Sequence, residues 1–138
     1  MQLKYMTKKA KKSSNIYLLG NQSFEKDSLS LKLLPFLSSA FPNISFIPLD
    51  PTENFPQETN LIILDTIINS NKILIIKDLA QIQPSPNYSL HDFDLKFQLS
   101  LLKKLNLLNE FTIIAIPNNL TQEQALEELK QIITSLCS

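Results

Sequence analysis

The chain has 138 residues, 43% of them hydrophobic, and it balances 13 lysines against 13 acidic residues without a single arginine. That length suits one domain with a full core, no apolar run approaches the roughly 20 residues of a membrane span, and the missing guanidinium removes the usual bidentate reader of phosphates and guanines. Nucleic-acid binding and membrane insertion are therefore set aside, and the single cysteine, Cys137, excludes a disulfide framework or a thiolate zinc site by count.

The first 14 residues carry Lys4, Lys8, Lys9, Lys11 and Lys12, which predicts a solvated, partly flexible basic arm ahead of one domain over 15–138. Too few apolar residues follow these lysines to form a signal-peptide core, so a cytoplasmic location is expected. Ile16–Gly20 reads as the first strand. Gly20 is the only glycine in the chain, so position 20 either needs a positive φ or a close backbone approach, or is an ordinary strand-to-loop turn. Asp27–Phe41 has helical apolar spacing, with Asp27 or Ser28 available as N-cap and a kink or early break expected at Pro35. Ile44–Leu49 is a short strand that Pro48 pushes toward a sheet edge, and 50–59, with Pro51 and Pro56, connects it onward.

Asn60–Thr66 contains four consecutive aliphatic residues, Leu61-Ile62-Ile63-Leu64. A run apolar on both faces predicts a strand covered by helices on both sides, the central strand of the sheet. Asp65, where this run stops, falls at the C-terminal edge, where open α/β sheets collect ligands. A carboxylate after four buried aliphatics is costly unless paired or liganded. The 67–71 turn is too short for a crossover helix, so Ile73–Lys77 is expected antiparallel beside the central strand. After a loop with Pro84 and Pro86, Ser89 caps a helix running to about Leu107, with His91 in its first turn and Asp92 completing a capping box. Phe111–Ile116 is the last strand. Thr121–Gln124 is a second capping box, opening a closing helix with Ala125, Leu126, Leu129, Ile132, Ile133 and Leu136 on one face.

The order β-α-β-β-β-α-β-α predicts an α/β fold, a three-layer α/β/α sandwich about a mixed sheet. Asp27, Asp65 and the sole histidine, His91, can all be brought to one rim of that sheet. Two carboxylates and an imidazole suit a borderline divalent ion such as nickel or zinc. Taken singly, each has a plainer reading: Asp27 as an N-cap, Asp65 as a turn cap, His91 as a first-turn helix residue.

Leu18-Leu19-Gly20-Asn21, with an acid six positions after the asparagine, resembles the opening motif of the hydrogenase maturation endopeptidases, approximately G-N-x-L-x-x-D-[DE]-x-x-G. The buried strand ending in Asp65 resembles that family's second signature, and Ser89-Leu90-His91 followed by a helix its third, so the resemblance extends from Ile16 to Leu136. It implies a five-stranded, mostly parallel sheet of hydrolase- and phosphorylase-like type, with the last strand inserted between the two that the pattern makes neighbours. It further implies that Gly20 and Asn21 belong to the binding loop. Asp27, Asp65 and His91 would contact nickel carried by the large-subunit precursor of a nickel-iron hydrogenase, with zinc or another divalent ion able to stand in. The implied activity is removal of the precursor's C-terminal extension by a monomeric endopeptidase, with Asp65 and Asp27 as catalytic carboxylates and Asp65 nearest the scissile bond. Ser23, Lys26 and Ser30 depart from the motif's Leu, first Asp and second Gly. Lys26 and the lost glycine favour the competing class, a non-catalytic peptidase-derived or flavodoxin-like domain that binds a protein partner. A nucleotide-binding domain ranks third, because the first turn lacks a glycine-rich phosphate loop.

Overall fold

A computed structural model describes residues 14–19, 28–50, 55–67, 70–81 and 91–137, with 91–94 described by their backbone alone. The elements in chain order are β1 (Asn15–Leu18), α1 (Leu29–Lys32), α2 (Leu34–Ala40), β2 (Ser45–Pro48), β3 (Asn60–Ile67), β4 (Leu74–Ile76), a 3-10 turn (Leu79–Gln81), α3 (His91–Lys104), β5 (Glu110–Pro117) and α4 (Gln122–Leu136). The strands form one five-stranded sheet in the order β2-β1-β3-β5-β4. Neighbouring pairs are parallel except β4 with β5.

The doubly apolar run is central, as its pattern requires. Leu61, Ile63 and Ile67 pack with Leu95, Leu99 and Leu102 of α3 on one face. Leu64 packs on the other face with Leu29, Leu33 and Leu37 and with Ala125, Leu129 and Ile133 of α4. Strand alternation produces this division, since residues two apart share a face. The layers are therefore α3 on one side and α1, α2 and α4 on the other, the three-layer sandwich expected.

One expectation about order is corrected. β4 does not pair with β3; β5 lies between them, pairing with β3 along its whole length from Asn60↔Glu110 to Ile67↔Pro117 and with β4 by only three residue pairs. Burial decides the choice. Seven of the eight β5 residues are buried, which only an interior strand covered on both faces can satisfy, whereas β4 has a single buried residue and suits an edge. Stepping over one strand requires about 10 Å, well within reach of the six residues from 68 to 73.

Two of the prolines act as their chemistry dictates. Pro48 ends β2 on the opposite edge of the sheet, where a missing N–H costs no ladder bond. The first helical stretch breaks at Leu33 into α1 and α2, and Pro35 falls in the first turn of α2, where its absent N–H would have had no intrahelical acceptor. Leu33 remains fully buried, and its carbonyl accepts from the amides of Phe36 and Leu37. Ser28 occupies the N-cap of α1 but makes no side-chain capping bond. Thr121 and Gln124 do form the reciprocal capping box of α4. The other expected box, at Ser89, lies outside the described residues, as do residues 1–13 of the basic arm and Gly20 through Asp27.

Helix α3 ends at Lys104, short of Leu107, for a reason visible in its hydrogen bonds. Asn106 adopts φ 60°, its amide donates to the Lys103 carbonyl, and the Leu107 amide donates to the Leu102 carbonyl. This paired pattern is the Schellman C-cap. Glycine normally fills its left-handed position, and in a chain whose one glycine lies elsewhere asparagine takes it.

Candidate functional site

Asp65 sits where the connections of the sheet diverge. From β1 the chain passes through α1 and α2, on the face of Leu64, to β2 on one side of β1. From β3 it passes to β4 and then through α3 to β5, all on the far side of β3 from β1, with α3 on the face shared by Tyr17, Leu61, Ile63 and Ile67. Adjacent parallel strands whose connections leave to opposite sides define a switch point, and the crevice outside their C-terminal ends is where open α/β folds bind ligands.

The local geometry fits that position. β1 pairs with β3 through Leu18↔Leu64, and the Leu19 amide donates to the Leu64 carbonyl at 2.8 Å. Asp65 is thus the first β3 residue past the described β1 ladder, while on the other side it still pairs with Ala115 of β5. The strand was expected to end at Asp65 with the carboxylate emerging. It continues instead to Ile67, and Asp65 is only 2% exposed. Oδ1 accepts from the Thr66 amide at 2.8 Å, a bond of the kind that a buried polar group needs.

Two residues at this rim escaped the sequence reading. Ser30, considered only as a departure from a motif glycine, is fully buried. Its amide donates to Thr66 Oγ1 at 2.9 Å and its hydroxyl donates to the Leu19 carbonyl. Ser30 and Thr66 therefore tie the start of α1 to the ends of β1 and β3. The available signal was alternation: Thr66 follows Asp65 and must face the α1 side of the sheet.

Of the other residues expected here, Gly20, Asn21 and Asp27 lie outside the described residues, although Leu19 and Ser28, which flank them, are both buried. His91 is placed by its backbone alone, at the start of α3. The C-terminal end of α3 leads through five residues to Glu110, whose amide bonds Thr59 at the beginning of β3. The helix therefore runs back across the face that holds Asp65, with His91 toward the C-terminal rim. Among the described residues no group of three or more His, Cys, Asp or Glu side chains could hold a metal, and no helix is long and apolar enough to cross a membrane. As donors, carboxylates and an imidazole fit nickel or zinc.

A second polar cluster lies toward the opposite end of the sheet. Glu58 Oε2 accepts from Asn15 Nδ2 at 3.0 Å and from the Tyr17 hydroxyl. Burial, reinforced by Glu58, pushes the Tyr17 phenol up to about 12.

No family model matches the sequence, and no curated protein matches it. Solved structures do share the fold. The hydrogenase maturating endopeptidase HybD from E. coli superposes with a TM-score of 0.61 at 19% identity, over 89% of this chain and 91% of that one. The solution structure of an endopeptidase from Escherichia coli gives 0.62 at 16% identity, over 88% and 91%. An uncharacterized protein from Wolinella succinogenes gives 0.54 at 15% identity, over 90% and 99%. The chain therefore has the HybD-like fold, a mixed, mostly parallel five-stranded sheet between helices.

Proposed function

We propose that the protein is an endopeptidase that removes the C-terminal extension of a nickel-iron hydrogenase large-subunit precursor after nickel insertion. The observation that carries this reading is Asp65, a buried carboxylate at the switch point of a sheet with the HybD-like fold. The family resemblance supplies the substrate. In this reading the nickel arrives with the precursor and is recognised by Asp27, Asp65 and His91, and the enzyme works as a cytoplasmic monomer. The Asp65 carboxylate accepts a proton from water as the water adds to the scissile carbonyl and returns it to the departing amine, so one water is consumed per bond broken.

The test mixes purified protein with precursor, with and without nickel, and follows the released C-terminal fragment by mass spectrometry. Cleavage that requires nickel and is lost in Asp65→Ala is the expected result. A stable complex that is never cut would overturn the peptidase reading in favour of a non-catalytic binding domain. Lys26 would then be the first position to revert.

A further inference from the structure

A cleft of about 410 Å³ opens at the same end of the sheet, lined among the described residues by Ser70, Asn71, Asn118 and Asn119. Ser70 and Asn71 lie on the path from β3 to β4; Asn118 directly follows β5, and its amide donates to the Ile67 carbonyl at 2.8 Å. The Ser70 hydroxyl donates to the Lys72 carbonyl, which leaves the three carboxamides as the described lining side chains able to donate to a ligand.

The chemistry of this lining is selective. Among the described residues it carries no charge to attract a phosphate or a cation, and no aromatic platform for a sugar ring or a base. Each carboxamide offers both a donor and an acceptor, which matches the one N–H and one C=O that every residue of an extended peptide presents. The position is informative as well. Asp65 pairs with Ala115, and Asn118 is three residues further along, about 10 Å at the rise of a strand. Three residues of extended substrate cover the same distance.

We propose that this cleft is a peptide subsite in which Asn71, Asn118 and Asn119 hydrogen-bond the backbone of the precursor about three residues from the bond cut beside Asp65. The proposal rests on the peptidase reading. Because backbone groups are read, the subsite tolerates any side chain at that substrate position and rejects proline, which lacks the N–H.

The experiment compares cleavage of nickel-loaded precursor by the wild-type protein and the Asn118→Ala/Asn119→Ala double variant, with thermal melts to confirm folding. Loss of two hydrogen bonds should raise KM roughly tenfold with kcat retained. Proline, but not alanine, three residues from the cleaved bond should raise KM for the wild type and by less for the double variant, which keeps only Asn71. An unchanged KM, or equal sensitivity to alanine and proline, overturns the subsite. If the wild-type protein cuts nothing, the peptidase reading has failed instead. The subsite is then decided by fluorescence anisotropy with a synthetic peptide of the precursor tail, where binding weakened roughly tenfold in the double variant supports it and absent or unaltered binding overturns it.

Discussion

The two ends of the sheet each hold a carboxylate, in contrasting settings. Toward the N-terminal end, the half-buried Glu58 is held by side chains, its Oε2 accepting from both Asn15 and Tyr17. At the C-terminal end, Asp65 is more deeply buried and takes the backbone amide of its own neighbour, Thr66. The first arrangement fastens the segment before β3 to β1. The second lies where β1 and β3 send their connections apart, so the crevice beside it arises from topology rather than from any polar side chain. A buried acid is thus a candidate for chemistry because of where the chain leaves the sheet.

The largest expected effect separates the two ends directly. Asp65→Asn keeps an oxygen to accept the Thr66 amide, so the fold should persist, while precursor cleavage falls by about 10²–10⁴ as expected for loss of a general acid-base group. Glu58→Gln should leave the cleavage rate unaltered. Equal losses in both variants would dissolve the distinction.

The next effect concerns what holds the C-terminal rim together. Thr66→Val removes the acceptor of the buried Ser30 amide, and an unsatisfied buried donor costs about 1–3 kcal/mol, to be read from the urea midpoint. An unchanged midpoint would show that the tie between α1 and β3 contributes nothing.

At the other end the expected effect depends on pH. The folded-state pKa of Tyr17, about 12, is raised above its ordinary 10, so the native state holds the proton more tightly and its contribution is complete below pH 10. As pH rises from 10 through 12 that contribution is lost, about 1 kcal/mol by pH 11. Urea midpoints at pH 9 and pH 11 should therefore fall further in the wild type than in Tyr17→Phe. Parallel declines would remove the Tyr17–Glu58 bond from the stability of this end.

Much of this was legible in the sequence where a pattern had one solution. Leu61–Leu64 could only be a doubly covered strand, and Thr121 with Gln124 only a helix start. The order of β4 and β5 was not legible from local pattern, because loop length constrains direction more than neighbour; the difference in burial between the two strands became visible only with the helices in place. Asp65 was found because it interrupts an apolar run. Ser30 and Thr66 were missed because their bonds join residues 36 apart, a pairing that no local spacing encodes.

The smallest effect tests the turn that sets the direction of α3 and so carries His91 toward the rim. Asn106 holds φ 60°, where a Cβ is disfavoured and asparagine is the best tolerated residue after glycine. Asn106→Ala should therefore destabilise by about 0.5–1 kcal/mol, whereas Asn106→Gly should be within about 0.5 kcal/mol of the wild type, because relief of the Cβ contact is offset by the greater freedom of glycine in the unfolded chain. Both are read from urea midpoints. If alanine and glycine behave alike, the left-handed turn is not what ends the helix. If alanine alone destabilises while cleavage is kept, the turn acts on the Glu58 end of the sheet and leaves the cleavage proposed at Asp65 untouched.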